Sequence, residues 1–432
     1  MSTFCGNIII EKRSDCMENS MNLIMDNSFH ALIVILITGV IAGEISKKIK
    51  VPDVVLFLLA GILIGPSVLN LLDIPDSSIV NQMILVFGAS FILYCGGRDI
   101  SLSVFKKIKV SVLSLATLGV LISTFIVAAA GHFIFKMEWI TALLMGSIIA
   151  STDPASLIPV LERLTISDRL KQTVICESAF NDAMGTVLVF GVLSVISSGA
   201  FNAGAVAGDF AKMIAIGVLT GIIIGFLIAF SISSRKFGIF SDYAPIMSVV
   251  ASTLTYLTAD KLGGSGYMAC FIAGMVLGNV KDMNLLVPHH EYIAQTYFRE
   301  ILETIFKMAI FILLGTHVNF GYLAEYWYIA LAITAVLIVL ARPVSVFISA
   351  GIDFKAKWNF KEMIFMSWVR ETGVIPAAMC SIIFAQKIKG YDIISSVVFM
   401  AILITLVLQG TTTEFVAKKL GMLEENASLK EN

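Results

Sequence analysis

Residues 170–197 read LKQTVICESAFNDAMGTVLVFGVLSVIS, with Glu177-Ser178-Ala179-Phe180-Asn181-Asp182 set inside an otherwise apolar run of membrane-crossing length. A charged side chain near the bilayer centre costs about 2.5–3.5 kcal/mol on insertion scales, so each one needs a partner or a purpose. Residues four apart share a helix face, which places Ser178 with Asp182 and Glu177 with Asn181. The first stripe presents a hydroxyl and a carboxylate, both hard oxygen ligands suited to an alkali cation. The second presents another carboxylate and an amide. Interhelical hydrogen bonding would account for one such residue, but it leaves the combination of Asp182, Ser178 and Asn181 unexplained.

The surrounding composition agrees with a membrane setting. Apolar residues form 57% of the 432-residue chain and charged residues 14%, and the mean hydropathy is +0.90. Soluble domains average about 45–50% apolar and about 25% charged. Spans are expected at about 29–46, 53–71, 79–97, 110–134, 139–162, 170–197, 211–233, 243–260, 266–280, 298–317, 326–350, 361–387 and 391–417, about thirteen in all. Alternate loops differ in basic content. Lys47, Lys48, Lys50, Lys106, Lys107, Lys109, Arg169, Lys171, Lys355, Lys357, Lys418 and Lys419 fall on one side. The positive-inside rule makes that side cytoplasmic, with the C-terminus inside and the N-terminus outside. Residues 1–28 read as a polar extension without the order of a cleaved signal, and 418–432 as a cytoplasmic tail.

The net charge of -1 gives no footing for nucleic acid. The 6 cysteines lack metal or redox spacing. His30, His132 and His317 near span ends, and His289-His290 in a loop, read as interface residues, so no cofactor is expected.

Two further spans carry polar interruptions. The fifth has Ser151-Thr152-Asp153-Pro154; proline removes a backbone donor and disfavours helix at the residue before it, so the helix should open at Thr152 and Asp153. The twelfth has Arg370-Glu371-Thr372-Gly373, followed by Pro376. It comes seven spans after the fifth, and an odd shift reverses direction across the membrane, as an inverted repeat requires. Irregular backbone at membrane depth is tolerated only where protein or a water-filled cavity satisfies it, and paired breaks of this kind mark transport sites. Arg370, Glu371 and Thr372 are candidate supports of the break, with Arg370–Glu371 as a local charge pair. Arg342 lies deep in the eleventh span; either it takes Glu177 as its counter-charge, which leaves Asp182 free to titrate, or it snorkels towards the cytoplasmic interface. Lys307 and Glu303, near the start of the tenth span, can pair at the interface.

These residues resemble the monovalent cation:proton antiporters, in the NhaP/NHE-type Na+/H+ exchanger branch. Val51-Pro52-Asp53 with Gly61 to Pro66, Ser151 to Ala155, Glu177 to Asp182, Gly266 to Ala269 and Ala341-Arg342-Pro343 match that family's signatures in order. The resemblance implies an all-α NhaA-like fold with two crossed discontinuous helices, working as a homodimer in the plasma membrane among its lipids. It implies a dimerisation part at about 29–97 and 243–317, a mobile core at about 110–197 and 326–417, and a linker at about 211–233. It implies cation ligation by Asp182 and Ser178, with Asp153 and Thr152 nearby, and transported Na+ and H+ as the only small partners. Asn181 stands where electrogenic relatives carry a second Asp, which points to electroneutral exchange; K+/H+ exchange at the same site is the alternative. The chain departs from the family at the twelfth span, where Thr372-Gly373 takes the place of Arg-Gly and Arg370 stands two residues earlier.

Overall fold

A computed structural model describes residues 29–49, 51–74, 78–153, 161, 164–198, 203–233, 238–280 and 289–423. The expected extension at 1–28, the end of the expected tail and Pro154 lie outside the described residues.

The described residues form an all-α protein because backbone in hydrocarbon must satisfy its own hydrogen bonds. Its helices are α1 (Phe29–Ile49), α2 (Asp53–Ile64), α3 (Ile79–Arg98), α4 (Leu102–Phe135), α5 (Trp139–Ile149), α6 (Asp168–Ser198), α7 (Ala203–Ile232), α8 (Ala244–Lys261), α9 (Gly266–Gly278) and α10 (His289–Thr316). The chain continues through α11 (Phe320–Gly351), α12 (Phe360–Trp368), α13 (Val374–Ala385) and α14 (Tyr391–Lys419). Among the described residues, 7 helices are long and apolar enough to cross a membrane. Each expected span overlaps helix, but the tenth begins earlier than its apolar run suggests. His289 therefore opens α10 and is not in a loop, and Lys307 with Glu303 lies beyond its middle, not near its start. A polar first half hides that part of the helix from a hydropathy reading.

The breaks lie where the polar interruptions lie. Helix α5 ends at Ile149, and residues 151–153 are non-helical. The twelfth span divides into α12 and α13, with 369–373 non-helical between them. Pro376 sits in the first turn of α13, where its missing N–H leaves no helical bond unmade. Three π-helical turns interrupt the long helices, at Leu115–Gly119, Leu337–Ala341 and Thr405–Gln409. The second lies just before Arg342-Pro343 and absorbs the bond that Pro343 cannot make.

Close helix contact depends on glycine where α3 crosses α9. A Cβ on Gly97 would overlap the carbonyl of Phe271, and one on Gly274 would overlap that of Tyr94. The two backbones meet without side chains between them, as membrane helices do when packing replaces hydrophobic drive. Helix α10 packs against α2 and α3, while α6 packs against α4 and α5. That second group carries the polar residues to the interior.

Candidate functional site

The two breaks cross. The amide of Asp153 donates to the carbonyl of Glu371 across 2.7 Å, so each opened segment satisfies part of the other's backbone. Arg370 Nη2 donates to the carbonyl of Ile149 at 2.5 Å, placing a cation at the C-terminal end of α5, where the helix dipole is negative. The amide of Thr372 donates to Thr405 Oγ1 at 3.0 Å. Gln409 Nε2 reaches the carbonyl of Trp368, the last residue of α12, at 2.7 Å. Thr405 and Gln409 bound the π turn of α14, so that turn presents both side chains to the broken helix.

Arg370 does not pair locally with Glu371: no such ion pair occurs among the described residues. The two side chains leave the non-helical segment in different directions. Arg370 turns to Ile149, and the Glu371 side chain lies towards Gly410 and Pro52.

Helix α6 passes beside the crossing. Asp182 Oδ1 accepts a hydrogen bond from Ser151 Oγ. One turn back, Ser178 Oγ accepts from Thr152 Oγ1 at 3.1 Å. Both members of the Ser178–Asp182 stripe therefore face the opened end of α5. Asp153 packs its carboxylate against Gly373, where a Cβ would overlap it. Asn181 Nδ2 donates to Glu177 Oε1 at 3.1 Å, and Asn181 Oδ1 has no hydrogen-bond partner among the described residues.

Glu177 and Arg342 form a two-pronged ion pair, at 2.9 Å from Nη1 to Oε1 and 3.0 Å from Nη2 to Oε2. Arg342 Nη2 also donates to the carbonyl of Met366 at 3.1 Å. The pair joins α6 to α11 and, through Met366, to α12. Ser151, Thr152, Asp153, Glu177, Ser178, Asn181, Asp182, Arg342, Arg370, Glu371 and Thr372 are all 3% exposed or less. Buried charge at this density persists only when paired and hydrogen-bonded or held for a purpose.

Asp182, Asp153, Ser178, Thr152, Asn181, Glu177, Arg342, Arg370, Glu371 and Thr372 thus gather around one crossing, while Glu303 and Lys307 lie on α10. The reading missed Ser151 as the direct partner of Asp182, although its hydroxyl lies in the same polar interruption as Asp153. It also missed Thr405 and Gln409, which carry no signal beyond being polar in an apolar span.

The model of the family described as sodium/hydrogen exchanger, transmembrane, matches residues 32–419. The chain belongs to this family. It is a multi-span membrane protein. It is 27% identical over 401 residues to the K+/H+ antiporter NhaP2 of Shewanella oneidensis, covering 91% of this chain and 67% of that one. It is 27% identical over 418 residues to Na+/H+ antiporter 1 of Methanocaldococcus jannaschii, covering 89% of this chain and 94% of that one. The solved structure of the sodium proton antiporter MjNhaP1 from Methanocaldococcus jannaschii at pH 8 superposes with a TM-score of 0.81 at 25% identity, covering 92% of this chain and 99% of that one. The chain spans about two thirds of the length of the K+/H+ relatives it matches. The exchanger fold, with its crossed broken helices, is therefore the fold of this protein.

Proposed function

We propose that this exchanger-family protein is a secondary active antiporter that trades Na+ or Li+ for H+ by alternating access, one for one and without net charge movement. The observation that carries the reading is Asp182, a buried carboxylate bonded by Ser151 beside Ser178 and Thr152 at the crossing of two broken helices. A carboxylate removed from water is poised to hold either a proton or a cation. Asp182 releases its proton as Na+ enters among the oxygens of Asp182, Ser178, Thr152 and Asp153, and the reverse exchange follows on the other side. Because the empty, charged carboxylate does not cross, competition for one group enforces coupling. Asn181 contributes no second exchangeable proton, so the cycle carries one positive charge each way. No bond chemistry and no cofactor enter the cycle.

In this reading the core at about 110–197 and 326–417 moves against a dimerisation part at about 29–97 and 243–317, with the helix at about 211–233 linking them. The protein works as a homodimer in the plasma membrane, with the C-terminus cytoplasmic, and serves sodium and pH homeostasis. The small, hard oxygen set and the name of the Methanocaldococcus relative favour Na+. K+/H+ exchange at the same site is the second reading, favoured by the names of the Shewanella relatives.

Dye-monitored proton movement in proteoliposomes, on addition of Na+, Li+ or K+, tests both. A Na+-evoked signal lost in Asp182→Asn is expected. A K+ signal larger than the Na+ signal would select the second reading, and an unchanged signal in the variant would remove Asp182 from the exchange.

A further inference from the structure

A groove of about 280 Å³ opens on the outer surface of the bundle between α11, α12 and α14. Val339, Pro343 and Phe347, at i, i+4 and i+8, form one wall; Ile364 and Trp368 form the floor and Val416 the other wall. The groove is apolar by construction. Ser367 at its edge spends its hydroxyl on the carbonyl of Met363 at 2.7 Å. The indole N–H of Trp368 is turned inward to Thr412 Oγ1 at 3.0 Å.

One end of the groove is basic. Lys361 lies one turn before Ile364 on the Lys361–Ile364–Trp368 face of α12, and Lys419 lies one turn after Val416 on the Thr412–Val416–Lys419 face of α14. Both lysines are exposed. The rings of Phe347 and Phe360 meet at 5.5 Å, so the C-terminal end of α11 and the N-terminal end of α12 lie at this same end. Glu362 does not cancel the charge, because Arg169 holds it at 2.9 Å. Glu414 sits two residues from Val416, on another face of α14.

Lys419 Nζ lies 6.0 Å from the centre of the exposed Phe415 ring. An apolar trough with two exposed lysines one turn beyond its lining has the polarity of an anionic phospholipid: an acyl chain in the trough and a phosphate within reach of Lys361 and Lys419. An extended peptide would bring backbone donors and acceptors that this wall cannot satisfy. We propose that this groove is a binding site for one anionic phospholipid, and that its occupancy bears on the broken helix. The acyl chain lies against Trp368, whose carbonyl is held by Gln409 immediately before the non-helical segment 369–373.

Native mass spectrometry of the delipidated full chain, titrated with phosphatidylglycerol or phosphatidylcholine, reads the site without reference to transport. Wild type is expected to retain one phosphatidylglycerol about 30-fold more tightly than phosphatidylcholine, at about 1 kcal/mol for each lysine. Lys361→Gln with Lys419→Gln, a surface change, should abolish the preference. Val339→Trp, which fills the trough, should lose the bound lipid of either kind. Retention of phosphatidylglycerol by the double lysine variant at the wild-type level, or equal retention of both lipids by wild type, would overturn the proposal. A change from dimer to monomer in Val339→Trp would do the same, because it would make the groove a contact between copies.

Discussion

The amide of Asp153 donates to the carbonyl of Glu371 at 2.7 Å, a bond between residues more than two hundred positions apart that ties the two opened helices at their crossing. Neither segment can regain helix without breaking that bond and exposing backbone groups at membrane depth. The polar side chains beside it, from Ser151 to Asp182, are thereby held together around the crossing, where the proposed exchange would need its oxygen ligands.

Ser151→Ala removes the donor to Asp182 and leaves the carboxylate in place. A hydrogen bond to a charged group is worth about 1.5–3 kcal/mol, so the apparent affinity for the cation should fall at least about tenfold while turnover persists at saturating cation. Initial rates of proton movement against cation concentration measure this. An unchanged half-saturation would show that the Ser151 bond does not help hold the charged carboxylate.

Breaking the Glu177–Arg342 pair on one side leaves a buried charge uncompensated. Arg342→Gln should lose about 3–5 kcal/mol of stability, and combining it with Glu177→Gln should restore most of it. Thermal unfolding in detergent of the two single variants and the double variant forms the cycle. A double variant no more stable than Arg342→Gln would mean that Arg342 acts chiefly through the Met366 carbonyl.

Gly373→Ala places a methyl group in the volume of the Asp153 carboxylate. The expected result is a helical, membrane-inserted protein with transport below a few per cent of wild type, since Asp153 must turn away from the crossing. Circular dichroism and proteoliposome flux are compared on the same preparation. Full activity would show that the crossing loosens at no functional expense.

Competition for one carboxylate predicts how pH acts. Below the pH at which Asp182 retains its proton, each unit of acidification should raise the half-saturating cation concentration about tenfold, with little change in maximal rate. Exchange should also be indifferent to a membrane potential imposed with a K+ ionophore. Rates that follow the potential would count against one-for-one exchange and against the reading of Asn181.

How legible these features were depended on the free-energy cost of each residue in a membrane. Glu177 and Arg342 would each be expensive alone, so the sequence pointed each to the other, and the bidentate pair is what the fold holds. The Asp153 break was readable because proline acts on its own neighbours. Arg370 was misread as a partner of Glu371 because adjacency in sequence says nothing about side-chain direction in a non-helical segment. Thr405 and Gln409 were silent, since a threonine or glutamine in an apolar span is affordable by local bonds. The start of α10 was missed because its first turns are polar.

The sequence by itself determined that the chain spans the membrane many times, that the fifth and twelfth spans break, and that the polar stretch at 177–182 sets two carboxylates inside an apolar span. Those properties follow from local rules: the length of apolar runs, the geometry of proline and the cost of charge in hydrocarbon. Only the tertiary structure decided that Ser151 bonds Asp182, that Arg370 caps Ile149, that Thr405 and Gln409 brace the second break, and that a groove with a basic end lies beside Trp368. Each of these joins elements distant along the chain, and their meeting depends on helix crossings set by close packing, such as that at Gly97 and Gly274, which no single span encodes.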